Sequence, residues 1–78
     1  GEKLEKIFQE RTGKKFNFYF SKYRDKLIWY LMKMCNDEIQ AEEVADESFV
    51  KAFFEIEKYD REKSQFSTWL FTIARNIM

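Results

Sequence analysis

The run FNFYFSKYRDKLIWYLMKM, residues 16–34, decides the fold. Phe16, Tyr19, Phe20, Tyr23, Leu27, Tyr30, Leu31 and Met34 recur in it at steps of three and four, so a helix of about five turns presents all of them on one face. The other side of this helix carries Phe18, Trp29 and Met32 and calls for a second cover. An N-terminal helix lying on that side is the plainer reading, and a partner surface the sharper one.

Helical patterns flank the run. Upstream, Leu4, Ile7 and Phe8 fall at i, i+3 and i+4 and start a short helix. Gly13 ends it, because glycine takes the left-handed conformation at a helix C-terminus at little cost. Downstream, Asn36 and Asp37 interrupt the pattern, and Asp37 with Gln40 three residues on resembles a capping box that opens the next helix. Ala41, Val44, Ala45, Ser48, Phe49, Ala52, Phe53 and Ile56 form the buried stripe of that helix. Residues 58–63 are charged and non-periodic, a loop, after which Ser64 can cap a last helix whose Phe66, Trp69, Leu70, Ile73 and Ile77 face the core. The expected fold is all-α: substantial helices near 15–36, 38–57 and 64–78, with the short N-terminal helix packed against them. Trp69 is expected to be buried, with Phe20, Phe49 and Phe53 as neighbours.

Composition agrees. Seventy-eight residues leave room for one core, so residues 1–78 are read as a single domain. Two glycines, no proline and 36% charged residues suit helices and argue against an all-β domain or a flexible linker. Nine Phe, four Tyr and two Trp supply the aromatic burial that a small domain without disulfides needs. With no histidine and a single cysteine, Cys35, the chain has no zinc site, no internal disulfide and no Cys/His or Ser/His nucleophile. No side chain has an ordinary pKa near neutrality. An enzyme is therefore not expected, and no cofactor is called for. The longest apolar run, residues 27–32, stops at Lys33, far short of the roughly 20 residues a membrane span needs. Without a signal-peptide pattern the chain reads as cytoplasmic and not membrane-inserted. Gly1 reads as a tag remnant, and the helical pattern is unfinished at Met78, so a piece of a longer protein with a truncated last helix is expected.

The charges cancel overall but are sorted along the chain. Residues 1–36 hold nine basic and four acidic side chains, residues 37–60 two basic and nine acidic, and residues 61–78 three basic and one acidic. In the acidic part, Glu43, Asp46 and Glu47 stand around Val50 on the side of the third helix opposite its buried stripe, with Phe54 one turn on. Carboxylates there can be a solvated face that gains from the helix dipole. Apolar atoms rimmed by charge, however, are what a surface for a cation-bearing helical partner looks like. General acid/base work is rejected, since a convex helix face has no water-excluding cleft. A second surface combines Lys58, Tyr59, Arg61 and Lys63 of the loop with Arg75 and a polar lane of Gln65, Thr68, Thr72 and Asn76. Cations can hold phosphates, a tyrosine can stack on an unpaired base, and hydroxyl or amide groups can bond base edges. The same lane also reads as the solvent side of an amphipathic helix.

The string from Ala41 to Phe53, AEEVADESFVKAF, followed by a charged loop and by Phe66-Ser67-Thr68-Trp69-Leu70-Phe71-Thr72-Ile73-Ala74-Arg75-Asn76, closely resembles the second conserved region of bacterial RNA polymerase sigma factors. The small extracytoplasmic-function group of the sigma-70-like family is the nearest in kind, and Gly13, Lys15-Phe16 and the Tyr19, Phe20, Tyr23, Leu27 spacing resemble its opening helices. The resemblance implies a helical bundle that docks on the clamp helices of the polymerase largest subunit. It also implies recognition of the non-template strand of the minus-ten promoter element as it melts. The polymerase-binding positions carried over are Glu43, Asp46, Glu47 and Val50, beside Phe54. Residues 59–64, Tyr59 through Ser64, correspond to a loop that shapes a pocket for a flipped-out base, with Ile73 and Asn76 beneath. Asp46 stands where the family usually has Gln, Asp60-Arg61-Glu62-Lys63 departs from the family's loop, and the tryptophan pair of primary sigma factors is missing beside Trp69. A promoter-recognition fragment is the leading reading. The alternative is a sigma-like mimic that occupies an anti-sigma factor without reading DNA, which would have no use for Arg75, Asn76 and the basic loop. An unrelated helical adaptor would leave the two faces without a common purpose.

Overall fold

Phe8 is the point where the aromatic residues converge. In a computed structural model that describes residues 2–78, the chain forms α1 (Glu2–Thr12), α2 (Phe16–Cys35), α3 (Glu38–Phe54) and α4 (Phe66–Ile77), with a 3-10 turn over Ile56–Lys58. The Gly1 reading lies outside the described residues, among which there is no strand. Phe8, fully buried, brings its ring within 5.5 Å of Phe16, 6.1 Å of Tyr19, 5.7 Å of Phe53 and 5.6 Å of Phe66, counted between centroids. One side chain of α1 therefore touches rings from each of the other three helices, most of them edge-on, the geometry that aromatic quadrupoles favour. Leu27 and Leu31 of α2, Phe49 of α3 and Leu70 of α4 complete the buried centre.

Helix ends follow local chemistry. Gly13 has φ +79 and its amide donates to the Gln9 carbonyl at 2.8 Å, which closes α1 as expected. Asn36 closes α2 in the same left-handed conformation. At α3 only half of the expected capping box forms. Asp37 Oδ1 accepts from the amides of Ile39 and Gln40 at 3.0 and 3.2 Å, but the Gln40 side chain turns to the Met78 sulfur instead of returning to Asp37.

Four further expectations need correction. The third helix stops at Phe54, not 57, since tightening into the 3-10 turn lets both Ile56 and Tyr59 reach the interior. Ser64 does not cap α4, which starts at Phe66 after Gln65 without a side-chain cap. Instead Ser64 is held by its backbone, its carbonyl accepting from the Tyr59 hydroxyl and its amide donating to the Asp60 carbonyl. Trp69 is half-buried at the edge of the α4 stripe, and its aromatic neighbours are Tyr59 at 5.1 Å and Phe66 at 5.9 Å, not Phe20, Phe49 or Phe53. Finally, α1 does not cover the outer side of α2. Its 11 residues span about 16 Å against about 30 Å for α2, and Phe8 holds it near the start of α2. Trp29 is left 66% exposed and Phe18 is also exposed, whereas Met32 packs on the core.

Candidate functional site

Helix α4 buries Phe66, Leu70, Ile73 and Ala74 and turns its polar lane outward as a ridge between two hollows. Toward α2 lies a groove of about 470 Å³. Its α4 wall is Ser67, Thr68, Phe71, Thr72 and Arg75, and its α2 wall is Tyr23, Lys26 and Tyr30. Tyr30 and Phe71 meet at its floor, 5.0 Å apart. Toward the end of α3 lies a smaller hollow of about 240 Å³, where Trp69, Thr72, Ile73 and Asn76 face Lys51, Glu55 and Lys58. Thr72 borders both, and its hydroxyl donates to the Thr68 carbonyl at 2.9 Å.

The polar lane is thus divided. Thr68 and Arg75 belong to the groove, Asn76 to the hollow, and Gln65 stands exposed before the first turn of α4. Of the loop cations, Lys58 borders the hollow beside Asn76, whereas Arg61 and Lys63 line neither hollow. Lys58 donates to Glu55 Oε1 at 2.9 Å, and this bond holds the Glu55 carboxyl below its ordinary range. A guanidinium nitrogen of Arg61 lies 3.1 Å from where a Cβ on Gly13 would stand, so Arg61 rests on the α1–α2 turn. Lys63 is exposed in the turn that Asp60 organises by accepting from the Glu62 amide.

Tyr59 is the clearest correction. It is 3% exposed, its hydroxyl donates to the Ser64 carbonyl at 2.9 Å, and Phe66 and Trp69 take up its ring. Burial pushes its phenol above the ordinary value, with Tyr19 adding to the effect. It shapes the loop and offers no platform for a base. On the α2 wall of the groove, the residues that the sequence reading missed are Tyr23, Lys26 and Tyr30. The tyrosines looked like core because they share the apolar stripe of α2, yet they lie at its edge, where an amphipathic ring can line a groove.

On the outward side of α3, Glu43, Glu47, Val50 and Phe54 are all exposed, Val50 by 54% and Phe54 by 69%. Ile39, 71% exposed and four residues before Glu43, extends the stripe toward the start of the helix. It was missed because it neighbours the cap. Asp46 sits on the flank of this stripe and turns to α2, where Arg24 donates Nε to Oδ1 at 2.8 Å and Nη2 to Oδ2 at 3.2 Å. This two-pronged bond raises the Arg24 pKa and answers the Asp46 charge within the chain. Among the described residues the ion pairs involve neither Glu43 nor Glu47.

No group of acidic, cysteine or histidine side chains among the described residues could hold a metal ion. The Cys35 thiol donates to the Asp37 carbonyl at 3.3 Å. No described helix is long and apolar enough to cross a membrane.

Comparison with known proteins adds a consistent picture. The family model described as Sigma-70 region 2 matches residues 19–78. The ECF RNA polymerase sigma factor SigW of Bacillus subtilis is 36% identical over 55 residues, covering 70% of this chain and 29% of that protein. The RNA polymerase sigma-H factor of Pseudomonas aeruginosa is 31% identical over 75 residues, 96% of this chain and 38% of that one. The ECF RNA polymerase sigma-E factor of Haemophilus influenzae is 37% identical over 68 residues, 87% of this chain and 35% of that one. The chain spans less than two fifths of the length of these relatives. No solved structure gives a significant match.

Proposed function

The chain belongs to the sigma-70 region 2 family, of the extracytoplasmic-function kind, and on that premise we propose that it is the promoter-recognition part of a sigma subunit. In this reading the α2–α4 groove receives the non-template strand of the minus-ten element, and the stripe of α3 docks on the clamp helices of the polymerase largest subunit. The lining of the groove carries the proposal. Aromatic walls from Tyr23, Tyr30 and Phe71, the hydroxyls of Ser67, Thr68 and Thr72, and two cations, Lys26 and Arg75, meet there without a carboxylate. Rings suit unstacked bases, hydroxyls suit base edges and cations suit phosphates, so the groove matches single-stranded nucleic acid in all three respects. The smaller hollow, with Asn76 and Ile73, suits a single extruded base.

Docking draws on Glu43, Glu47, Val50 and Phe54, with Ile39 lengthening the apolar contact. Asp46, held by Arg24, orients the rim more than it binds. Binding of the non-template strand within a reconstituted polymerase complex tests the reading. If Lys26, Lys63 and Arg75 each neutralise about one phosphate, the salt slope is roughly −2. Arg75→Ala should weaken binding by about tenfold, and Asn76→Ala should relax preference at one base. Equal affinity for the minus-ten strand and a scrambled strand would remove base readout. If the same protein then held an anti-sigma factor, it would be the sigma-like mimic.

A further inference from the structure

Apart from Lys26, the outer side of α2 is not used by either surface, and it is chemically uniform. At 100° per residue, Phe18, Lys22, Lys26, Trp29 and Lys33 fall within an arc of about 80° that runs about 22 Å along the helix. Asp25 lies at the edge of this arc farther from the groove, and Tyr30 and Tyr23 follow at the other edge. Lys26 belongs to both surfaces, lining the groove and standing on the lane. The cations lie close to rings: Lys22 Nζ is 5.5 Å from the Phe18 centroid and 5.4 Å from that of Tyr23, and Lys14 Nζ is 5.1 Å from Phe18. Trp29, 66% exposed, stands between Lys26 and Lys33 with its indole in solvent.

A large exposed indole costs solubility, and three lysines on one arc repel each other. Both costs are offset by one kind of occupant, a polyanion with flat apolar rings. We propose that this lane is a second nucleic-acid contact: it takes the phosphates of the strand as it leaves the α2–α4 groove, and Trp29 stacks on one of its unpaired bases. Charge complementarity favours this occupant over a protein helix, because a helix would have to be strongly acidic to pair with Lys22, Lys26 and Lys33. The shared Lys26 makes the two surfaces continuous, so one strand can follow both. The proposal rests on the nucleic-acid reading of the groove.

The test uses the polymerase complex with a forked promoter DNA carrying a single-stranded non-template strand. Lys22→Gln with Lys33→Gln should lower the magnitude of the salt slope by about 1.4, or about 0.7 for each lost phosphate contact. Trp29→Ala should weaken binding about tenfold, and Trp29→Phe should restore most of it, since phenylalanine keeps a stacking face. These side chains are exposed, so thermal melts should match the parent. An unchanged slope and affinity in the lane variants, with Arg75→Ala still weakening binding, would overturn the lane and leave the groove standing. Parental binding in both lane and Arg75 variants would instead overturn the groove reading. Loss of core-polymerase binding without DNA in the lane variants would make the lane a protein contact and refute the proposal.

Discussion

The outward sides of α2 and α3 differ in charge while sharing a design. Each shows large apolar side chains to solvent, Phe18 and Trp29 on α2, Ile39, Val50 and Phe54 on α3. The first set stands among lysines and the second among glutamates. The two helices pack extensively on each other, and where their flanks meet, Arg24 and Asp46 join one charge set to the other. Exposed apolar area alone therefore does not identify a partner. In the proposed reading the surrounding charge tells the two apart: the α2 side is complementary to a polyanion and the α3 side to a cationic helix.

Removing the common support should abolish both sides together. Phe8→Ala empties the aromatic junction and should cost about 3–5 kcal/mol of stability, read as a large fall in the melting midpoint, and neither partner should then bind. Separating the sides should be the next largest effect. Glu43→Lys, Glu47→Lys and Val50→Asp combined should weaken clamp-helix binding by about 3 kcal/mol or more, measured by pull-down or titration, while the melt and the affinity for nucleic acid hold. A lowered melt would return these residues to the core and break the contrast.

Tyr59→Phe sharpens it differently, since it probes the loop that belongs to neither side. Losing the bond to the Ser64 carbonyl should cost about 1 kcal/mol. The buried phenol holds its proton longer in the folded chain than in the unfolded one, whose value is about 10. Its contribution is thus complete below the unfolded value and is lost as pH rises through the raised folded one. The variant should lose less stability than the parent in alkaline melts. The smallest effect belongs to the joint between the helices. Asp46→Asn breaks an exposed pair and should cost no more than about 1 kcal/mol, and a double-mutant cycle with Arg24→Gln measures the coupling.

Periodicity made the helices legible, because the stripes of α2 and α3 repeat every three and four residues without interruption. It also placed Val50 and Phe54 outside, opposite that stripe. Tyr59 was not legible. A tyrosine between Lys58 and Asp60 in a charged loop has the composition of a stacking platform, and its burial depends on Phe66 and Trp69, which return to it only after the chain has turned. The same holds for the groove: Tyr23 and Tyr30 share the apolar stripe with true core residues, and only the position of α4 shows that their edges line a cleft. Ser64 had the right chemistry for a cap but was already committed through its backbone. Clamp docking and the minus-ten strand came from the resemblance of whole strings, which periodicity does not supply.

The junction at Phe8 also bears on where this domain starts. The family match begins at Tyr19, yet Phe8 and Phe16 lie before it and fill the space bounded by Tyr19, Phe53 and Phe66. A boundary drawn from sequence likeness would thus cut through the interior, leaving aromatic faces of three helices open to water. The packed interior reaches back to α1, and a truncation meant to isolate the recognisable part should instead expose a sticky hydrophobic seam.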